Sequence, residues 1–296
     1  MRVAVCLLAL GCATWLHADE RVQKMTGRMS EEAAVFAQQA PNIVARETLR
    51  QRALMPQRLH PRVGKAATEP VKPEWQQREI VSEYGFARFS SGAIREMRRV
   101  VSVDGRAVEP SERALDALAK SITSSSDEQK RKTLQDFEKL GLRGAASDFG
   151  QLLLMFRRTE LGKYEFDVEG EKLVGADRAW VFRYKQMEGD QGLTIFEGDK
   201  PAPVHQRLEG EIWARESDFL PLRITLISVR GKEGVRDEAQ VDYALTSYGF
   251  VAPVSVVHRE SRSNGLVAEN VFQYSSFRKF GSRAEIQFTG APEAGR

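Results

Sequence analysis

The sequence predicts an α+β protein built on an antiparallel sheet, covered either by a second sheet or, as a curved antiparallel sheet, by helices. Three observations predict it. Beyond about residue 160, short segments alternate apolar and polar residues at strand period. Turn residues return about every 10 to 15 positions there. No helical stretch separates those strands, which argues for an antiparallel meander and against a parallel, doubly wound sheet.

Taken from the N-terminus, Arg2 precedes the apolar run "VAVCLLALGCATWL", and a small residue, Ala18, ends the segment. Residues 1–18 read as an export signal, which places the mature chain in the periplasm. A second reading makes "LALGC" a lipobox and Cys12 a lipid anchor. Both cysteines, Cys6 and Cys12, lie in this segment, so cleavage after Ala18 leaves a chain with no disulfide or thiolate metal site. Residues 19–75 are expected to hold two short helices, "SEEAAVFAQQA" and a second one after Pro41, then a Pro-rich crossing segment from residue 55.

The main domain is expected over residues 76–288. Strands begin near "REIVSEYGFARF", and "IREMRRVVSV" followed by Asp104-Gly105 is a hairpin signal. A helical insertion interrupts them over about 110–156, with a break at "SITSSSDEQ" and a short final helix capped by Ser147 or Asp148. "KYEFDVEG", "RAWVFRYK", "LTIFEG", "QRLEGEIWAR", "LPLRITLISV", "EAQVDYALTSY", "VAPVSVVHRE" and "LVAENVFQYSSF" continue the sheet. Residues 289–296 read as a disordered tail.

Composition narrows function. The formal net charge is +3 and becomes +2 once Arg2 is removed, too balanced for a nucleic-acid binder. Basic residues cluster at Arg46, Arg50, Arg52, Arg58, Arg62, Lys65 and Lys72, either a solvated segment or a peripheral contact for anionic lipid headgroups. His60, His205 and His258 stand far apart with no metal-binding spacing, and no nucleophile elbow, phosphate loop or dinucleotide fingerprint occurs. Acid pairs such as Glu209 with Glu211, or Asp237 with Glu238, suit a solvated strand face better than glycosidase chemistry. No catalytic residue, cofactor or metal is expected.

"LEGEIWARESDFLPLRITL", the following "VDYALTSYGFVAPVSVVH" and the closing "NVFQYSSFRKF" resemble the LolA-like lipoprotein-carrier superfamily. The resemblance rests on Gly210, Ile212 and Trp213, then Pro221 and Arg223, then Gly249, Phe250 and Pro253, and finally Tyr274 with Phe277. It covers roughly residues 160–280. It implies an unclosed β-barrel with helices on its concave side, a half-barrel that takes up lipid or lipoprotein acyl chains, and the helical insertion exceeds that of the simplest carriers. Inward residues expected to line such a cavity are Phe166, Trp180, Phe182, Ile212, Ile224 and Phe272. The rival reading is an envelope sensor or scaffold that uses the same fold to bind a protein partner.

Overall fold

The computed structural model describes residues 7–55, 73–142, 148–188, 191–197, 200–230, 234–263 and 265–279. A long helix α1 (Leu7–Gln39) leads through a 3-10 turn (Ala40–Asn42) into β1 (Ile43–Met55), β2 (Glu74–Arg88), β3 (Ile94–Val103) and β4 (Arg106–Ala107). Helices α2 (Ser111–Thr123) and α3 (Asp127–Glu138) follow, then 3-10 turns at Leu152–Phe156 and Leu161–Lys163. The rest is strand: β5 (Tyr164–Val174), β6 (Asp177–Gln186), β7 (Gln191–Glu197), β8 (Lys200–Gln206), β9 (Glu209–Arg215), β10 (Pro221–Arg230), β11 (Val235–Leu245), β12 (Val251–Arg262) and β13 (Gly265–Lys279). Eleven strands form one open sheet in the order β4-β3-β2-β1-β13-β12-β11-β10-β9-β6-β5, and β7 with β8 forms a separate hairpin. The α+β open half-barrel is the predicted architecture.

Several local expectations change. Only one N-terminal helix precedes the sheet, because "IVARETLRQRALM" is strand β1 and not a second helix. Its inward positions include Glu47 and Gln51, which break the apolar alternation, yet both are almost fully buried because Arg98 of β3 and Asn270 of β13 supply partners. As a sequence pattern "KYEFDVEG" ends on Gly170 as a turn, but with φ +143 this residue sits at a register shift inside β5, and the hairpin turns at Gly175. The Asp104-Gly105 hairpin is present, with both residues at positive φ. The break between α2 and α3 falls at residues 124–126, where Ser126 caps α3 by accepting the Gln129 amide at 3.3 Å. The proposed helix capped by Ser147 or Asp148 is the 3-10 turn Leu152–Phe156, and Ser147 lies outside the described residues.

Helix α1 lies on the inner face and buries Met25, Met29, Ala33 and Phe36 completely. Phe36 packs edge-on to Phe86 at 5.1 Å and to Phe250 at 6.3 Å. Helix α2 covers the outer face of the first strands, where Leu118 and Ile122 meet Val44, Ala87 and Met97. Gly210 is required by a close approach: a Cβ there would overlap the Thr225 carbonyl of β10. Tyr184 lies across this gap and donates its hydroxyl to that same carbonyl at 2.8 Å.

The apolar faces of "LRITLISV" separate unequally. Leu222, Ile224 and Leu226 are buried inward, whereas outward Ile227 is partly covered and Val229 is 57% exposed. The outer face of this strand is therefore open at its far end. Trp213 also faces outward, between Lys172 (4.7 Å) and Arg223 (5.0 Å), with its indole N–H donating to Glu211 at 2.6 Å. Among the basic cluster, Arg46, Arg50 and Arg52 stand on β1 and pair with Glu83, Glu79 and Glu269. Arg58, Arg62, Lys65 and Lys72 lie outside the described residues, as does the tail 289–296.

Candidate functional site

Strand register builds the inner face row by row. One row runs Val168, Phe182, Ile212, Ile224, Val241, Val256, Phe272, Leu49, Ile80 and Val103, each residue opposite the next across adjacent strands from β5 to β3. The eight central residues are at most 1% exposed. Alternation places one apolar side chain per strand on the same face, and the register aligns them into a continuous apolar track across ten strands.

Four of the six residues predicted to face inward, Phe182, Ile212, Ile224 and Phe272, lie on this track. Phe166 and Trp180 stand in the flanking rows, partly buried against the same core. The Arg21 guanidinium of α1 covers the Trp180 ring at 3.9 Å. Among the described residues the track is not an empty cavity: α1 and the turn 152–156 fill it.

Polar groups border the track on both sides. On one side, the His258 Nε2 lies 3.2 Å from Asp237, its Nδ1 lies 3.1 Å from the Asn270 amide nitrogen, and Gln51 donates to Asn270 at 2.8 Å. The Phe149 ring stacks on His258 at 4.8 Å. All four polar residues are at most 2% exposed. Asp237, expected outward with Glu238, thus points inward; the alternation of β11 leaves only Glu238 facing solvent. His60 and the His205 side chain lie outside the described residues.

On the other side, the buried Arg98 Nε donates to both Glu47 oxygens at 2.8 and 2.9 Å, and its Nη2 to Glu96 at 2.7 Å. Glu96 also accepts from the Tyr84 hydroxyl and from the amides of Asp148 and Gly150, each at 2.8 Å. Arg98 lies within 5.0 to 5.4 Å of the Phe137, Tyr84 and Phe272 ring centroids. Burial raises the Glu47 carboxyl above its ordinary range, although Arg98 pulls it back. Burial works against the Arg98 charge, but Glu47 and Glu96 outweigh it and hold Arg98 protonated.

A pocket of 240 Å³ opens beside the segment 148–160. It runs from Ile94 and Arg95 at the start of β3 to Leu208 before β9, with residues 148–160 as its floor. Larger hollows of 620, 500 and 410 Å³ are lined largely by charged and polar residues such as Arg50, Glu79, Arg183, Glu238, Arg99 and Asp136. No group of His, Cys, Asp or Glu among the described residues has the arrangement of a metal site, and no described helix is long and apolar enough to cross a membrane.

Sequence reasoning found the track because strand period is visible in the chain. It missed the buried polar rows. Their signal was the occurrence of Glu47, Gln51, Asp237 and Asn270 at the same parity as buried apolar residues, which only the strand register makes readable.

Neither a protein-family model nor a curated protein matches the sequence. Among solved structures, a LolA superfamily protein from Nitrosomonas europaea is similar at 10% identity over 83% of this chain and 93% of that one, with a TM-score of 0.27. A DUF1329 family protein from Desulfovibrio piger is similar at 11% identity over 84% and 90%, with a TM-score of 0.31. MucB–MucA of Pseudomonas aeruginosa gives 12% identity over 85% and 98%, at a TM-score of 0.19. At these scores the likenesses carry no functional argument. The LolA-like half-barrel rests on this chain's own strand order and on the helix filling its inner face.

Proposed function

We propose that this chain is an exported, non-enzymatic periplasmic protein that binds a lipid or lipoprotein acyl chain along the inner track, in exchange for α1. The observation that carries the reading is the unbroken apolar row from Val168 to Val103, covered by a helix whose buried contacts are mainly Met25, Met29 and Phe36. Methionine side chains are unbranched and adaptable, which suits a surface that repacks. Visible polar ties of α1 include Arg21 over Trp180 and the Arg88 guanidinium on the Ala37 carbonyl.

Magnitudes favour a reversible exchange. Burying the three large α1 side chains is worth about 1.5 to 3 kcal/mol each, and an acyl chain gains about 0.8 kcal/mol per buried methylene. About ten methylenes therefore offset the loss of these helix contacts. Phe166, Trp180, Phe182, Ile212, Ile224 and Phe272 then contact the chain. Mass spectrometry of protein purified natively from the envelope, with titration of a fluorescent fatty acid, tests this. Co-purifying lipid and saturable binding support it; absence of both removes it.

A second reading has its own observation. Strand β5, eleven residues long, is the last strand of the sheet at one end and carries Leu173 at 69% exposure. Such an edge is a site for strand addition by a partner protein. A photocrosslinker at position 173 that captures one envelope protein in cells, in a chain that binds no fatty acid, favours this reading over the first.

A further inference from the structure

Resting on the acyl-chain reading, the geometry points to the identity of the headgroup: we infer that the pocket between the start of β3 and Leu208 receives an oxyanion, a carboxylate or phosphate, carried on the alkyl chain, with Arg157 as its counter-ion. Three observations meet there. Arg157 lines the pocket, is partly buried, and has no ion pair or hydrogen bond from its guanidinium among the described residues. Glu160, which also lines the pocket and favours the Arg157 charge from a distance, has its hydrogen bond and ion pair with Lys163 at 2.6 Å. Arg95, at the same pocket, is already neutralised by Asp148 at 2.5 Å. The lining is formally balanced, Arg95 and Arg157 against Asp148 and Glu160, but the Arg157 guanidinium is left without a direct partner among the described residues.

The second observation is Gln151, whose side-chain oxygen is buried at this pocket with no partner. Rotation of the amide by half a turn presents its N–H groups to an anion instead. The third is the wall. Ile94, Leu152 and Met155 line the pocket and are also members of the core that contains the track. A chain leaving the headgroup thus passes under the 152–156 turn and into the interior without crossing a polar surface.

Burial lowers the Arg157 guanidinium from its usual range, the charge of Arg88 adds to the effect, and Glu160 only partly opposes it. A half-buried cation beside another cation is disfavoured unless an anion joins it. Asp148 shapes the floor at φ +76, held there by its hydrogen bonds to Glu96 and Arg95. A backbone strained at a pocket wall fits a binding role.

The test is calorimetric titration of the full chain with dodecanoate, dodecyl phosphate, dodecyltrimethylammonium and inorganic phosphate, using wild type, Arg157→Gln and Arg158→Gln. Arg158 is the exposed neighbour and controls for net charge. Tighter binding of the two anionic amphiphiles, weakened at least tenfold by Arg157→Gln and unchanged by Arg158→Gln, supports the inference. Equal binding of all three amphiphiles by wild type and Arg157→Gln overturns it and leaves the acyl-chain reading standing. Phosphate binding as strong as dodecyl phosphate, lost in Arg157→Gln, assigns the pocket to a free anion and overturns the amphiphile. No binding of any amphiphile overturns both. Because Arg157→Gln removes an unpaired cation, its melting temperature stays at or above that of wild type, so weaker binding is not a sign of unfolding.

Discussion

Arg98 is fully buried and Arg157 partly buried, and the two differ in what surrounds them. Arg98 is enclosed by two carboxylates and three aromatic rings, with every group around it engaged. Arg157 stands at a pocket with its guanidinium unengaged among the described residues. Enclosed charge of the first kind fixes a structure, because each partner becomes a liability once the other is removed. Unmatched charge of the second kind leaves an interaction for something else to complete. The cluster around Arg98 is therefore locked, and the pocket beside Arg157 is the place where the molecule accepts change.

The largest expected effect breaks the locked side. Arg98→Met leaves Glu47 and Glu96 buried without their cation and is expected to cost about 3 to 5 kcal/mol in urea denaturation. Loss below about 1 kcal/mol would mean the cluster is far better solvated than its burial indicates. Next in size is Gly210→Ala, where the added methyl overlaps the Thr225 carbonyl and presses on Tyr184; overpacking of this kind costs about 1 to 3 kcal/mol.

A pH-dependent effect follows from Glu47. Its folded carboxyl titrates above the unfolded value, so the native state holds the proton more tightly. That stability is complete below the unfolded range near 4.5 and is lost as pH rises through the raised folded value. Glu47→Gln removes the loss, so its stability relative to wild type improves as pH rises through that window. Glu32, raised by burial in the same direction, keeps its own contribution in both proteins. Parallel stability curves for the two proteins would contradict this assignment. Smallest is Arg157→Gln, expected to alter stability by no more than about 0.5 kcal/mol, as for a surface change. Together with Arg98→Met it measures the contrast between the two arginines directly.

How much of this was legible in the chain depended on whether side-chain chemistry agreed with strand parity. In "RAWVFRYK" and "LPLRITLISV" inward positions are apolar, so period alone revealed the track. In β1 the inward Glu47 and Gln51 disguised a strand as a helix, because their partners Arg98 and Asn270 lie about 50 and 220 residues away. Asp237 was assigned to solvent for the same reason. Arg157 in "FRRTE" looked like any surface charge; only the packing of the 152–156 turn against β3 and Leu208 separates it from Arg158. Long-range pairing of polar groups was the part of the fold that local pattern could not carry.

The exchange of α1 for an acyl chain is tested most directly by hydrogen–deuterium exchange of the full chain with and without saturating dodecanoate. The account predicts faster exchange of α1 amides between residues 25 and 39 on binding, with β9 to β12 unchanged or slower. Binding of dodecanoate with α1 exchange unchanged or slowed would contradict it.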